Sequence, residues 1–585
     1  MSNAKKGTFR KFCRSLKPWT APLLFSIFCA IASSVLGIFV PKLLGDVTTI
    51  ASDGFFANGI IDWDTITSIL ITTIILFTAS SLLNYVQGFI LAKVTADYTK
   101  QIREQIIAKI AKLPIAYFDK HKFGDTLSRI TNDVDVLVSS MSQEIADITI
   151  SLTTLIGVTV MMFTISIPLS LIAIVTIPVS VFVVGKIAKY AQKFFHDRQN
   201  ILGQLNSHIE EDYTGQHIIK SNSHIPASTA EFAAVNDKLT KTSLKAQFFS
   251  SLSFPVTHIF TNLGYVAVCI VGGNAVIAGA LTIGSIQAFV QYMNRFNRPI
   301  TEIAEMVSVI QSLLASAERI FDFLEEPEEA ADPTPALAVT DVKGAVEFHN
   351  IAFSYDKKTP IITDFSAKVE PGQKVAIVGP TGAGKTTMIN LLMRFYDPDS
   401  GYITIDGVPT KEMRRADVRQ LFGMVLQDTW LFSGSILENL RYGNNSATDA
   451  DIKRVAKICD IDHIIEALPD GYKTVINEDS DNVSAGEKQL LTIARAMIAN
   501  PPMIILDEAT SNVDTRTEQV IQDALEELTR GRTSFVIAHR LSTIRNSDLI
   551  LVMKDGNIVE QGNHDTLLAQ SGFYAELYNS QFAED

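Results

Sequence analysis

The stretch 374-KVAIVGPTGAGKTTMINLLMRF-395 decides the fold of the second half of this chain. Its apolar opening, 374-KVAIVG-379, predicts a short buried strand, and 385-KTTMINLLMRF-395 predicts a helix. Between them, 379-GPTGAGKT-386 matches the pattern G-x-x-x-x-G-K-[ST] in the strand-to-helix setting that characterises a phosphate-binding loop. The stretch therefore predicts an α/β domain that binds a nucleotide.

The residue types of this loop suit a bound triphosphate with its magnesium ion. Glycines let backbone N–H groups surround the β- and γ-phosphates, and the helix N-terminus adds positive potential. Lys385 would neutralise phosphate charge, and Thr386 would offer its hydroxyl to Mg²⁺. ATP and Mg²⁺ are the predicted cofactors, and the predicted nucleotide-binding residues of this segment are Gly379, Pro380, Thr381, Gly382, Ala383, Gly384, Lys385, Thr386 and Thr387.

Two more short apolar runs, 502-PMIIL-506 and 534-SFVIA-538, alternate with helical segments and predict a largely parallel sheet. Asp507 follows the first run and is a predicted ligand of the Mg²⁺ shell. Glu508 is placed to polarise a water for attack on the γ-phosphate. A lone histidine is usually structural, but His539 ends a predicted central strand, where ligands bind in open sheets, and could orient that water.

The first half of the chain is apolar enough to lie in a membrane. Hydrophobic residues make up 47% of the whole sequence and charged residues only 19%, with long uncharged runs in the first half. Runs of about 20 apolar residues can span a bilayer as helices. We predict six spans, at 22–41, 66–92, 145–165, 168–187, 252–277 and 283–308.

The charges near the N-terminus predict the orientation of these spans. A basic cluster precedes the first span without a cleavage site after it, which favours a cytoplasmic N-terminus. An even number of spans then returns the chain to the cytoplasm, so both termini are expected there. The net charge of −13 argues against a nucleic-acid partner.

The sixth predicted span is unusually polar, with Gln287, Gln291, Asn294, Arg295, Asn297 and Arg298. Polar side chains in hydrocarbon are costly unless they face protein or a wet cavity. They could line a substrate cavity. Alternatively, they could hydrogen-bond between helices, with the arginines reaching to the inner surface.

The acidic, proline-containing segment 324–343 predicts a linker between two domains. The predicted organisation is a transmembrane domain over 1–323 and a nucleotide-binding domain over 344–585. The fold class is thus an all-α membrane domain of six helices followed by an α/β P-loop NTPase domain.

These motifs resemble those of the ATP-binding cassette (ABC) exporters, and the resemblance extends over nearly the whole chain. The segments 113–135 and 210–220 are similar to the coupling regions that, in the family, pass motion from the cassettes to the spans. The resemblance implies an adenine-stacking role for Tyr355, a role for Gln427 in linking Mg²⁺ and the γ-phosphate to the membrane domain and in catalysis, contact of Asp514 with the partner cassette, and the switch and catalytic roles for His539 and Glu508.

The family's signature motif, usually Leu-Ser-Gly-Gly-Gln, is replaced here by 483-VSAGE-487. In the family, this motif of one cassette binds the ATP held by the P-loop of another, so the resemblance implies a dimer. Ser484 and Gly486 are kept as predicted nucleotide contacts. Ala485 could crowd the phosphate or disfavour a backbone with positive φ, and Glu487 adds negative charge.

Two assemblies follow from this altered motif. In a heterodimer, the loop, Glu508 and His539 of this chain would form the competent site with a partner's signature. In a homodimer, the substitutions would be tolerated at two working sites. The first is favoured, because the resemblance includes exporters with such asymmetric sites.

The function that the resemblance implies is ATP-driven export of amphipathic, drug-like compounds across the cytoplasmic (inner) membrane by alternating access. The chain would act as an ATP hydrolase coupled to transport, in contact with membrane lipid. The alternative cargo is lipid, moved by a flippase of the same architecture.

Overall fold

The computed structural model describes residues 3–57, 59–427, 429–477, 483–507, 515–538 and 541–581. The chain divides into two compact units. The helical unit comprises Met1–Ala111 and Gly124–Glu326, and the α/β unit comprises Lys112–Phe123 and Pro327–Asp585. A short segment from the first half of the sequence therefore belongs to the α/β unit.

Long helices dominate the first 325 residues. The helices are α1 Asn3–Ser15, α2 Thr20–Ala57, α3 Trp63–Ile110, α4 Ile115–Lys120, α5 Phe123–Ser128, α6 Val134–Ile165, α7 Ile167–Thr214, α8 Gln216–Ser221, α9 Ile225–Ser251, α10 Ser253–Ile277 and α11 Ile283–Glu325. Asp62 caps α3 by accepting a hydrogen bond from the Thr65 N–H. Ser166 adopts an extended backbone that ends α6, and Pro168 lies in the first turn of α7, where proline is favoured.

All six predicted spans are helical. Within the described residues, five helical runs are long and apolar enough to cross a membrane by length and composition: Lys17–Phe56, Trp63–Ile110, Phe123–Ile165, Ile167–Thr214 and Ile225–Ile277. The predicted sixth span lies on α11, which has 43 residues but is not among these five, because its polar side chains lower its hydropathy.

Glycines bring the backbones of α2 and α11 into direct contact. A Cβ atom added to Gly284 would lie 1.8 Å from the carbonyl oxygen of Gly45, and one added to Gly45 would lie 2.4 Å from that of Gly284. Small residues allow such close approach between apolar helices. Two polar side chains of α11 also bond to α2: Gln287 accepts from the Thr48 hydroxyl, and Arg295 donates to the Gly37 carbonyl at 2.8 Å. For these two residues, the structure agrees with the packing alternative.

The α/β unit contains a six-stranded sheet in the order β12-β11-β3-β10-β9-β6, with a four-stranded antiparallel sheet in the order β2-β1-β4-β5. The six-stranded sheet is parallel except for the β11–β12 pair. The strands are β1 Val346–Phe353, β2 Ile362–Val369, β3 Lys374–Val378, β4 Ser400–Ile405, β5 Val408–Pro409, β6 Phe422–Val425, β7 Gly434–Ser435, β8 Val475–Ile476, β9 Met503–Asp507, β10 Thr533–Ile537, β11 Leu549–Lys554 and β12 Asn557–Gly562.

Helices cover this sheet on both faces, and alternate strand residues enter two different cores. The helices are α12 Lys385–Leu392, α13 Arg415–Gln420, α14 Ile436–Arg441, α15 Asp449–Ile458, α16 Asp462–Ala467, α17 Ala485–Ala499, α18 Thr515–Thr529, α19 Leu541–Arg545, α20 His564–Ala569 and α21 Phe573–Gln581. On β9, Ile505 packs into a core shared with the second sheet and α12, whereas Ile504 and Leu506 pack with α14–α18. This alternation is the period of two that a strand covered on both faces requires.

Candidate nucleotide-binding site

The phosphate-binding loop leaves the carboxyl end of the central strand β3. Ile377 of β3 pairs with Ile537 of β10, and Ile537 pairs with Asp507 of β9. These three residues form one row across the sheet, and the loop begins two residues beyond this row at Gly379. Ligands bind at this edge in open parallel sheets. The predicted loop, Asp507 and the strands that carry them are thus brought to the same edge.

Glycine is required at particular points of the loop. Gly382 and Gly384 have φ angles of +84° and +98°, a region that residues with a Cβ atom rarely adopt. Gly384 is also the residue before the first turn of α12, and no side chain caps that turn. The loop therefore leads directly into α12. The first backbone N–H groups of this helix find no acceptor on the N-cap residue, because Gly384 has no side chain.

Lys385 is the first residue of α12, and its side chain reaches back to the phosphate-binding loop. Its ammonium group donates hydrogen bonds to the carbonyl oxygens of Gly379, at 2.7 Å, and Pro380, at 3.1 Å. Burial lowers the pKa of this ammonium below its ordinary value, while the negative charge of Asp507 acts in the opposite direction. The positive charge is thus held at the loop by these hydrogen bonds, within the electrostatic influence of the carboxylate predicted to bind the metal.

The oxygen groups predicted for Mg²⁺ are of the type that this ion prefers. Thr386 is exposed at the start of α12, and Asp507 is partly buried at the end of β9. Hydroxyl and carboxylate oxygens from a protein, together with phosphate oxygens, are the usual ligands of Mg²⁺ beside a nucleotide. Gln427 follows β6, whose Val425 pairs with Leu506, and is exposed at the same edge. The residues present therefore suit a Mg²⁺–nucleotide complex.

Tyr355 stands beside α12, and the residue is 36% exposed. Its hydroxyl donates to the Thr387 hydroxyl at 3.2 Å and accepts from the Asn390 amide at 3.3 Å. The ring packs edge-on against Phe353 and Tyr396, with centroids 4.9 and 5.0 Å away. The aromatic residue expected to stack on adenine is therefore held by the helix that follows the phosphate-binding loop.

The altered signature begins helix α17. Ser484 is the N-cap residue, and its hydroxyl accepts from the Glu487 N–H at 3.4 Å. The Glu487 carboxylate in turn accepts from the Ser484 N–H at 2.7 Å. Together they form a reciprocal capping box. Ala485 is the first helical residue and is not among those with positive φ, so the expected backbone conflict does not arise there; Gly486 is buried.

Three predicted site residues, Glu508, Asp514 and His539, lie outside the described residues. Asn390, Tyr396 and Asp119 were missed by sequence reasoning. Asn390 lies three residues after Thr387 on α12, a spacing that places both on one helix face and could have signalled it. Asp119 lies within 113–135, which the sequence predicts only as a coupling region. No local pattern links it to Tyr396, because they are 277 positions apart.

Comparisons with known proteins match both units. Residues 23–300 match the family model described as the ABC transporter transmembrane region, and residues 362–511 match the one described as ABC transporter. The chain is 41% identical to a fatty acid ABC transporter ATP-binding/permease protein of Mycobacterium bovis, covering 98% of this chain and 96% of that protein.

Two further relatives have names that specify other cargo. An ATP-dependent lipid A-core flippase of Syntrophus aciditrophicus is 31% identical, covering 100% of this chain and 96% of that protein. A Bacillus subtilis protein whose name assigns it provisionally to multidrug export is 32% identical, covering 98% and 99%. The three relatives match this chain over both units, but their names specify different cargo.

Proposed function

Because this chain belongs to the ABC transporters, with the membrane region and the ATP-binding cassette fused in one polypeptide, we propose that it exports amphipathic, drug-like compounds across the cytoplasmic membrane. ATP-driven transport is common to the family. The proposed part is the cargo, the alternating-access cycle and the location in an inner membrane with both termini in the cytoplasm.

The observation that carries the proposal is the phosphate-binding loop itself. Lys385 is hydrogen-bonded to the loop, and the described part of the same chain contains five helical runs apolar enough to cross a membrane. Hydrolysis of ATP by a chain that also contains membrane helices can supply the free energy for moving a solute across the membrane. A relative at 32% identity has a name that assigns it provisionally to multidrug export, which supports drug-like cargo.

We assign the following tasks to the residues of the site. The loop from Gly379 to Thr387 and Lys385 in particular would bind the phosphates, with Thr386, Gln427 and Asp507 holding Mg²⁺. The ion would supply charge neutralisation for phosphoryl transfer. Tyr355 would support the adenine ring.

Catalysis and contact with the partner cassette are assigned to three residues that lie outside the described part of the chain. Glu508 would accept a proton from the attacking water, and His539 would orient that water. Asp514 would contact the partner cassette.

Reconstitution in lipid vesicles tests this function. The transporter purified through this chain, together with any partner half that it carries, would be compared with its Lys385→Ala and Glu508→Gln variants for ATP hydrolysis and for ATP-dependent accumulation of a fluorescent amphipathic dye in inverted vesicles. Export predicts that both activities occur and that both variants lose them. Dye accumulation that is equal with and without ATP would refute the proposal.

The second candidate function is lipid transport. It is favoured by the names of the relatives at 41% and 31% identity, which specify fatty acid and lipid A-core. The same vesicles decide between the two candidates. A lipid transporter would move a fluorescent fatty acid or phospholipid between leaflets in an ATP-dependent manner, and dye would neither accumulate nor compete.

The assembly that we propose is a heterodimer with a second half-transporter. The support is the capping box of α17, in which the Glu487 carboxylate occupies the Ser484 N–H at the helix N-terminus. In the family, this helix N-terminus receives the γ-phosphate of the opposite cassette. A carboxylate there repels a phosphate, whereas the usual glutamine would not, so this signature suits the weaker of two unequal sites. A homodimer with robust, Glu508-dependent ATP hydrolysis by the chain alone would overturn the heterodimer.

A further inference from the structure

Tyr396 lies where the adenine side of the nucleotide site meets the segment Lys112–Phe123. That segment belongs to the α/β unit, although it is covalently continuous with long helices on both sides. Its first residue is fixed by a backbone hydrogen bond, since the carbonyl of Lys112 accepts from the Glu329 N–H at 2.9 Å. Leu113 and Tyr117 of the segment are buried.

The Tyr396 hydroxyl donates a hydrogen bond to the carboxylate of Asp119 on α4. Burial raises the pKa of Tyr396 above its ordinary value, and the bond to Asp119 raises it further, so the phenol stays a neutral donor at physiological pH. A hydrogen bond from a neutral donor to a carboxylate is stronger than one between neutral groups. The contact therefore joins α4 to the hydroxyl of Tyr396 by a charge-assisted hydrogen bond.

The ring of Tyr396 in turn supports Tyr355. Their planes are nearly perpendicular at 89°, with centroids 5.0 Å apart, and Tyr396 packs against Phe353 as well at 5.4 Å. Edge-to-face contacts of this kind are worth about 0.5–1.5 kcal/mol beyond burial. Tyr355 is bonded to α12 through Thr387 and Asn390. A continuous set of contacts thus runs from the helix that follows the phosphate-binding loop, through Tyr355 and Tyr396, to Asp119.

We propose that Tyr396 is a positioning residue that couples occupation of the adenine site to the order of the segment Lys112–Phe123. A purine stacked on Tyr355 would fix the ring of Tyr355, which fixes Tyr396 and its bond to Asp119. The inference rests on the nucleotide site proposed above. It adds to that site a path that starts from the base of the nucleotide rather than from its phosphates.

The test measures backbone hydrogen–deuterium exchange in the full chain in lipid nanodiscs. All samples carry Glu508→Gln so that ATP remains bound. In the parent, ATP is expected to slow exchange in 112–123 by about fivefold or more, a typical size for coupling between two sites. Tyr396→Phe keeps the ring but removes the donor and is expected to abolish that protection, with the ATP dissociation constant changed by less than about twofold. Asp119→Asn keeps the shape and removes the charge, and is expected to weaken the protection.

Two controls distinguish this path from its alternatives. Tyr402→Phe alters a tyrosine elsewhere in the unit, stacked on His349 at 4.5 Å, and should leave the protection intact. Inorganic tripolyphosphate, which has phosphates but no base, should protect the phosphate-binding loop and not 112–123.

Each of the other possible results would contradict either this proposal or the proposed function. Protection that persists in Tyr396→Phe, or that tripolyphosphate produces equally, would overturn the proposal. So would an unprotected segment in the parent, or a Tyr396→Phe variant whose ATP affinity falls by about tenfold, because the residue would then act in binding rather than in coupling. A parent that does not bind ATP at all would instead refute the proposed function.

Discussion

Two helix N-termini in the α/β unit differ in how their first backbone N–H groups are satisfied. Helix α12 follows Gly384, which has positive φ and provides no side-chain cap. Helix α17 follows Ser484 and is capped by the reciprocal bonds of Ser484 and Glu487. A helix N-terminus attracts anions. At α12 the N-cap residue provides no acceptor, so the helix N-terminus is available to an external anion. At α17 the carboxylate of Glu487 already lies at the helix N-terminus.

The comparison teaches that two anion-attracting helix ends can differ in whether a side chain of the same chain already caps them. What matters is whether the sequence places an acid three residues after the N-cap. The same box recurs at α14, where Ser435 and Glu438 bond to each other in the same way. Because α14 has no predicted nucleotide role, its box provides a matched control for the one at α17.

The largest effect is expected at Lys385. Lys385→Ala removes the fixed positive charge from the loop and should lower ATP hydrolysis by about 10²–10³-fold, the range seen when one preorganised electrostatic group is removed. Hydrolysis assays in lipid would measure this, with Lys374→Ala at the opposite end of β3 as the lysine control. Activity within about threefold of the parent would mean that the open helix end alone suffices for phosphate binding.

Gly384→Ala tests whether the glycine is needed for its backbone. A φ of +98° costs a residue with a Cβ atom about 1–3 kcal/mol, so we expect a lower melting temperature and ATP affinity reduced by about tenfold. Gly372→Ala is the control, since Gly372 has a φ of +78° with open space around it. Both should lose stability, but only Gly384→Ala should lose affinity. Equal affinity losses would contradict a special role for the α12 terminus.

Ser484→Ala removes the cap of α17 and, by the family's pattern, a contact to nucleotide. The lost cap should cost about 1 kcal/mol of unfolding free energy, and ATP hydrolysis should fall by about fivefold. Ser435→Ala removes the equivalent cap of α14. Thermal unfolding and hydrolysis of both variants would separate the two contributions. If Ser435→Ala lowers hydrolysis as much, the effect of Ser484 is purely structural.

The smallest effect is expected at Glu487, and it is an increase. Glu487→Gln keeps the capping geometry but removes the negative charge, so hydrolysis at sites completed by this signature should rise by about two- to fivefold, the size of a single charge at a helix terminus. Glu438→Gln at α14 should change nothing. The measurement is the dependence of hydrolysis on ATP concentration. A fall in activity would show that the carboxylate assists this site rather than opposing phosphate.

Much of the nucleotide site could be predicted, because its determinants are local. The apolar run before Gly379 predicts β3, and the glycines with Lys385 predict both the turn and the start of α12. Contacts between distant positions leave no such pattern: nothing near Asp119 points to Tyr396. The capping box could have been recognised from Ser484 and Glu487, since Ser-x-x-Glu before an apolar helix is its signature.

The polar face of α11 shows a different limit of sequence reasoning. Composition identifies Gln287 and Arg295 as unusual for a membrane helix, but it does not choose between a cavity and a helix contact. That choice depends on which residues of α2 lie opposite. For these two side chains the structure shows hydrogen bonds to Thr48 and Gly37 of α2, and both side chains stay exposed.

The assignment of Lys112–Phe123 to the α/β unit has a consequence for biosynthesis. Domains generally fold during synthesis, at about 5–20 residues per second. The segment is translated more than 200 positions before Val346, the first residue of β1, so it waits for about 10–45 s before even one strand of its unit is made. During that interval Leu113 and Tyr117, which are buried in the finished chain, lack most of the unit that they join. The segment Lys112–Phe123, in the first half of the chain, therefore completes its folding only after the second half has been translated.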